Sequence, residues 1–397
     1  MFRLLVLSAA FLFAVAPAVH HSQYLFVWAM EVRHPAVPDG DPRRGMGRPF
    51  LAVFEVSPDA SPFGKLVAMR AVGKVAMMVH HTNYALPANG VLFANDWLAG
   101  RTYTFDLRDP SSPRFIAEFQ NAGPYTYPHS FVYLPNGTTL ATFQYTHGFN
   151  RGPGGLVELD SHGHAVKMSS AANPHVDPNI RPYSMAVVEK LDRIVTSSAD
   201  MMGAQTSRAV QIWRLSDLKL LKTLVLPKPP DWYYDDAADS SEPRVLGDGE
   251  TVVVPTFRCG LFLLQNLASA HPTLDHVYDF GYRLCEVPLV VGNYLVESMQ
   301  SGHAIVSLDL HDPAHPREVS RILLKGDEYP HWLAIEPGGD RIVVTGYGAL
   351  ATKALFAAID RDTGQLTLSP DSIDFTRAWP DGWDGGAIPH GAVFSNN

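Results

Sequence analysis

The sequence predicts an all-β fold, a seven-bladed β-propeller closed by the C-terminal strand joining the N-terminal blade. Three observations predict it. A phrase of apolar strand, polar turn and second apolar strand recurs seven times, starting near positions 50, 102, 155, 210, 261, 304 and 355. That spacing suits four-strand blades. Between these copies lie paired strands joined by turns such as Asn136-Gly137, Asp248-Gly249 and Gly338-Gly339, dipeptides that favour hairpins. Finally, the two ends are complementary fragments of one blade.

Taken in order, YLFVWAMEVR (24–33), FLAVFEVS (50–57) and KLVAM (65–69) read as the second, third and fourth strands of a blade lacking its first. Six complete units follow. The terminal stretch His390-Gly391-Ala392-Val393-Phe394-Ser395 reads as a first strand with nothing after it. Joining the ends closes the ring and hides the edges that invite aggregation. Residues 19–397 are therefore expected to form a single propeller domain. Residues 1–18 read as a secretory signal: Arg3 is the positive start, Leu4 to Val15 the apolar run, and Ala16-Pro17-Ala18 the cleavage site. Export predicts a secreted or periplasmic protein with no membrane insertion after signal removal. In that setting Cys259 and Cys285, the two cysteines, are expected to pair; a pair of reactive thiols is the alternative.

The net charge is −9, from 40 acids against 31 bases. With no basic cluster, nucleic acid is excluded as a partner, and a small-molecule substrate is expected instead. No phosphate-cradling glycine loop or Ser-His-Asp order is present.

The repeat singles out one position per blade. His81, His129 and His331 each precede a proline (Pro87, Pro135, Pro337) by six residues, and His390 holds the same place in the closing strand. Continuing round the ring, the position is Tyr183, Glu242 and Glu286. The first residue of a blade's first strand opens at one mouth of the axial channel, so the four imidazoles should converge there. Neutral imidazole is the commonest metal ligand, and an open nitrogen set suits copper or iron better than structural zinc. Glu242, Glu286 and Tyr183 are placed to orient imidazoles or to act as acid–base groups. In an extended strand His80 should point away from His81. A purely structural histidine is the competing reading, but it predicts the same residue in most blades.

The same mouth is expected to carry Asp96, Trp97, Arg101, His147, Arg151, Met201, Met202, Arg258, His303 and Tyr347. The Pro/Gly-rich segment 34–49 is expected to act as a lid. Trp232, Tyr233 and Tyr234 are expected to line the mouth, with Asp235, Asp236 and Asp239 as an alternative Ca²⁺ group.

The segments VHHTNYALPANG, YPHSFVYLPNG and YPHWLAIEPGGDRIVVTGYG resemble the selenium-binding protein / methanethiol oxidase family. The resemblance implies a seven-bladed propeller with metal-ligating histidines at His80, His81, His129, His331 and His390. It also implies an exported copper enzyme that oxidises methanethiol with oxygen and water to formaldehyde, hydrogen sulfide and hydrogen peroxide. The family's cysteine-bearing segment soon after the double histidine has no counterpart here. Carotenoid oxygenases also set four histidines on a seven-bladed axis, but this chain lacks their long insertions.

The expectation is a secreted metal-dependent oxidoreductase, with copper (alternatively iron, or no metal), acting on a small thiol or related molecule. A non-enzymatic binding or scaffold propeller and a hydrolase using Glu242 and Glu286 are the alternatives.

Overall fold

The computed structural model describes residues 23–32, 47–73, 78–177, 180–201, 207–227, 239–326, 328–347, 351–376 and 386–396. Residues 1–18, most of the expected lid, Met202, Trp232, Tyr233, Tyr234, Asp235 and Asp236 lie outside them.

Seven antiparallel sheets form the propeller. Blade one runs from Ala387–Phe394 at the axis through Tyr24–Glu31 and Pro49–Glu55 to Lys65–Ala71. The C-terminal strand is thus the innermost strand of the first blade, paired with the N-terminal strand from Leu25↔Phe394 to Glu31↔Ala387. The innermost strands of blades two, three and four are Val79–Thr82, Tyr125–Tyr133 and Pro182–Val188. Those of blades five, six and seven are Arg244–Val245, Leu289–Val291 and Pro330–Ile335. Blade three carries an extra short edge strand, Asn121–Ala122.

The core lies between blades. Leu25, Val27 and Ala29 pack towards blade seven against Trp332 and Phe356. Phe26 and Trp28, alternating with them, pack towards blade two against Tyr103 and Phe105. Because side chains alternate across a strand, an inner strand sandwiched by two neighbours must be apolar on both faces, and YLFVWAME is. Outermost strands lose one of these neighbours to solvent, and Lys65–Ala71 is correspondingly half-exposed.

Cys259 and Cys285 form a disulfide, with Cα atoms 5.0 Å apart and a sequence separation of 26. It ties the loop between the second and third strands of blade five to the start of blade six. Both residues are buried, and neither is free for thiol chemistry. A closed loop of this size contributes roughly 3 kcal/mol on the chain-entropy account.

Candidate metal centre

The innermost strands share one local irregularity. Pairing with the second strand breaks register at the ring position: between Val79 and Thr82 in blade two, across Ala141/Phe143 in blade three, Pro182/Met185 in blade four, Pro330/Trp332 in blade seven, and opposite Val27/Ala29 in blade one. An extra residue at each break bends the strand and re-aims its side chains. In blade two the extra residue turns both His80 and His81 to the axis. Their ring centroids are 4.0 Å apart, which corrects the expectation that His80 points away. An unbroken extended strand would have separated them; the bulge does not.

The backbone of the ring is fixed from the preceding blade. Asn95 Nδ2 donates to the His129 carbonyl (3.3 Å), Thr142 Oγ1 to that of Tyr183 (2.8 Å) and Ser298 Oγ to that of His331 (2.9 Å). Thr345 Oγ1 donates likewise to the His390 carbonyl.

Five imidazoles meet on this scaffold, all buried. Ring centroids are 4.4 Å apart for His81–His129, 4.6 Å for His80–His390 and 4.6 Å for His331–His390. His129 Nδ1 lies 2.8 Å from the Tyr183 carbonyl. A carbonyl only accepts, so this nitrogen carries the proton and Nε2 keeps its lone pair. His80 Nε2 is 3.3 Å from that lone pair and therefore donates to it; His80 Nδ1 in turn accepts from His390 Nε2 at 3.1 Å. The chain is consistent with three neutral rings. Burial first, then repulsion from neighbouring imidazoles, holds His80, His81 and His331 well below the usual histidine range. Burial pushes His129 and His390 down to about 3. Both nitrogens of His81 and of His331, and Nδ1 of His390, have no hydrogen-bond partner among the described residues. Buried polar atoms are rarely left so.

The acidic residues stand alongside. Glu242 Oε1 is 3.6 Å from His81 Nδ1, and Glu286 Oε2 is 3.8 Å from His331 Nδ1. Burial raises both carboxyls; Glu286, also repelled by Glu242, reaches about 8. The Tyr183 ring packs on His129 at 3.9 Å, and burial raises its phenol well above the ordinary value. All seven ring residues predicted from sequence, and His80 with them, are thus in or against one cluster.

Sequence reasoning missed the layer beneath. Glu242 Oε2 accepts from the Tyr84 and Ser184 hydroxyls and from Arg244 Nη1 at 3.3 Å. The Arg244 guanidinium lies 4.0 Å over the Tyr84 ring, whose other face stacks on Trp332. A signal existed: Ser130 and Ser184 directly follow the ring residue in adjacent blades, where an apolar residue would be ordinary.

A cavity of about 330 Å³ opens above the cluster. Its floor is His80, His331, Tyr183, Glu286 and Tyr347; Met201, Phe257 and Leu284 give it apolar walls, with Asp200, Asp239 and Gln300 on the polar side. Of the expected rim residues, Met201 and Tyr347 line it, as does Asp239, which was expected in a Ca²⁺ group instead. The other described ones do not. Trp97 is buried against Tyr127, Arg101 pairs with Glu118, and His303 bonds the Glu328 carbonyl. Asp96, His147, Arg151 and Arg258 are also outside the lining.

No known family's sequence model and no curated protein sequence matches this chain. Solved structures do. A hypothetical selenium-binding protein from Sulfolobus tokodaii superposes with a TM-score of 0.71 at 15% identity, covering 94% of each chain. A putative 6-phosphogluconolactonase from Bacteroides uniformis gives 0.64 at 10% identity, covering 94% of this chain and 99% of that one. The periplasmic gluconolactonase of Pseudomonas aeruginosa gives 0.61 at 13%, with coverage of 94% and 99%. At such identities the likeness is one of fold.

Proposed function

We propose that this chain is an exported metal-dependent oxidoreductase, with copper at the axial histidines, acting on a small thiol or related molecule in the cavity above them. The observation that carries the reading is the set of buried imidazole nitrogens left without hydrogen-bond partners at and beneath the floor of an open cavity. The donor set fits the metal: nitrogen ligands suit copper, and the buried cluster offers partnerless nitrogens on His81, His331 and His390. His80, His81, His129, His331 and His390 would hold it. Bound copper supplies a redox couple between the substrate and molecular oxygen.

The chain's own residues do the rest. Met201, Phe257 and Leu284 take the apolar part of the substrate and exclude water. Glu286 and the Tyr183 hydroxyl, both facing the cavity, hold or pass the proton released by a thiol. The disulfide supports export, since such bonds persist in oxidising compartments. No described helix is long and apolar enough to cross a membrane. A lactone hydrolase is the second reading, favoured by Glu286 at the floor. Against phosphorylated substrates, the described lining contains three carboxylates and no Lys or Arg; like charge repels a phosphate.

The test is elemental analysis of natively exported protein together with oxygen uptake on small thiols. Stoichiometric copper, reduced in His129→Ala and His331→Ala, is the expected result. Metal-free protein that hydrolyses a lactone would instead establish the second reading.

A further inference from the structure

The donors at the axis do not form a single ring around one point. His80 presents Nδ1 to His390 and Nε2 to His129, on opposite edges of its ring, so only one of these edges can face a given ion. The ligand atoms fall into two groups, each with all members within 4.8 Å of one another: His80, His81 and His331, and separately His81, His129 and Glu242. The first group is at the cavity, where His80 and His331 form part of the floor. The second is deeper, none of its members lining the cavity. His81 belongs to both.

The deeper group has the features of a built site. Oε2 of Glu242 is anchored by Tyr84, Ser184 and Arg244, which fixes the whole carboxylate. Oε1 is left fully buried with no hydrogen-bond partner, and so is the nearest imidazole nitrogen, His81 Nδ1. They face each other across 3.6 Å, too far for a hydrogen bond and close to the separation of two ligands on one ion at about 2 Å each. His129 offers Nε2, because its Nδ1 is committed to the Tyr183 carbonyl; a bound ion would take the Nε2 lone pair in place of the His80 N–H. A carboxylate aimed by three donors at an imidazole it does not bond is ligand geometry rather than a salt bridge.

We propose that the axis holds two metal ions: one at the cavity on His80, His81 and His331, and a second beneath it on His81, His129 and Glu242, with His81 bridging them through its two nitrogens. Bridging displaces the one N–H proton of His81 to solvent, and the resulting imidazolate together with Glu242 offsets two of the four positive charges of a divalent pair. The inference rests on the metal-dependent reading and assigns Glu242 as a ligand within it.

The experiment is metal stoichiometry on the full exported chain, stripped and reloaded with Cu²⁺ alone, with electron paramagnetic resonance on the same samples. Two equivalents in wild type are expected, falling to one in Glu242→Gln and in His331→Ala, with thermal melts reporting whether each variant is folded. The wild-type protein needs no variant: a bridged pair gives a weakened mononuclear copper signal and a half-field transition. A single equivalent whose resonance accounts for all the copper overturns the second site and leaves the metal-dependent reading standing. No bound copper at all overturns both.

Discussion

Gly391 follows His390 where the closing strand passes closest to blade two. A Cβ there would lie 2.8 Å from Thr82 Cγ2, 2.9 Å from the Thr82 nitrogen and 3.0 Å from the His80 carbonyl oxygen. Two of these are backbone atoms and cannot rotate away. Gly391→Ala should therefore push the double histidine off the axis. Overpacking of this kind costs about 1–3 kcal/mol, so a lowered denaturation midpoint is expected together with weakened metal uptake; an unchanged midpoint would show the approach to be slack. Asp239, on the cavity wall, makes a different prediction. Burial first, then Asp200 and Asp177, raises its carboxyl from the ordinary 3.8 to about 7, despite the Ser207 N–H donated to it. Between these values the folded chain binds the proton more tightly than the unfolded chain, so this contribution is present at low pH and is lost as pH rises towards 7. At about 1.4 kcal/mol per unit the loss reaches up to about 4 kcal/mol. Asp239→Asn should remove it. Denaturation curves of wild type and variant at about pH 5 and pH 8 should therefore diverge in favour of the variant at the higher pH, and parallel curves would sink the assignment.

Between blades, the repeating unit is a hydroxyl or amide on one blade's second strand holding the carbonyl of the next blade's ring residue. Thr142 does this by donating to the Tyr183 carbonyl at 2.8 Å, and within its own blade it also accepts the Ser130 N–H at 3.1 Å. Thr142→Val keeps the shape, leaves the buried Ser130 N–H unmet at about 1–3 kcal/mol, and leaves the Tyr183 carbonyl with the His129 Nδ1–H alone. A loss of about 2 kcal/mol is expected from urea titration at unchanged m-value, with Thr142→Ser close to wild type. If valine is tolerated, the carbonyls are held by the bulge alone. The strands themselves were legible in sequence because hairpin dipeptides and apolar runs recur at blade spacing, and the ring position because His, Tyr and Glu replace apolar residues there. The bulge was not. An extra residue changes which face a side chain takes without changing the residues, so the alternation in VHHT does not announce that His80 joins His81; only the family resemblance implied it. Tyr84 and Arg244 were hidden for a related reason: they reach the axis from positions where tyrosine and arginine also serve as ordinary surface residues.

For the whole molecule, closure decides whether seven sheets make one ring. The last strand, Ala387–Phe394, is buried along its length. It fills the seam between blades one and seven through Ala387, Ala392 and Phe394, while Val393 packs towards blade two. The Trp332 indole of blade seven donates to the Ala392 carbonyl at 2.8 Å. Burying Ile388, Val393 and Phe394 is worth about 1.5–3 kcal/mol each, together comparable with the 5–15 kcal/mol total stability typical of a folded domain. Ending the chain at residue 386 removes this, deletes His390, and bares the edge of Tyr24–Glu31 to other chains. Loss of a cooperative melt and aggregation on size exclusion are expected. Chain composition alone would predict a similar loss from any deletion of that length, so a rearrangement separates the two causes. Leu25 and Phe394 are antiparallel partners, and the Ser395 N–H donates to the Tyr24 carbonyl at 2.8 Å, so Gln23 and Asn396 lie a short turn apart. A permutant with a short Gly/Ser link from Asn396 to Gln23, opened in the exposed loop at Gly326 between blades six and seven, contains the same strands with the seam made covalent. It should melt cooperatively at or above the wild-type temperature, because the link confines the closing strand in the unfolded chain. A permutant that aggregates as the truncation does would mean that closure by the last strand is not what holds the ring.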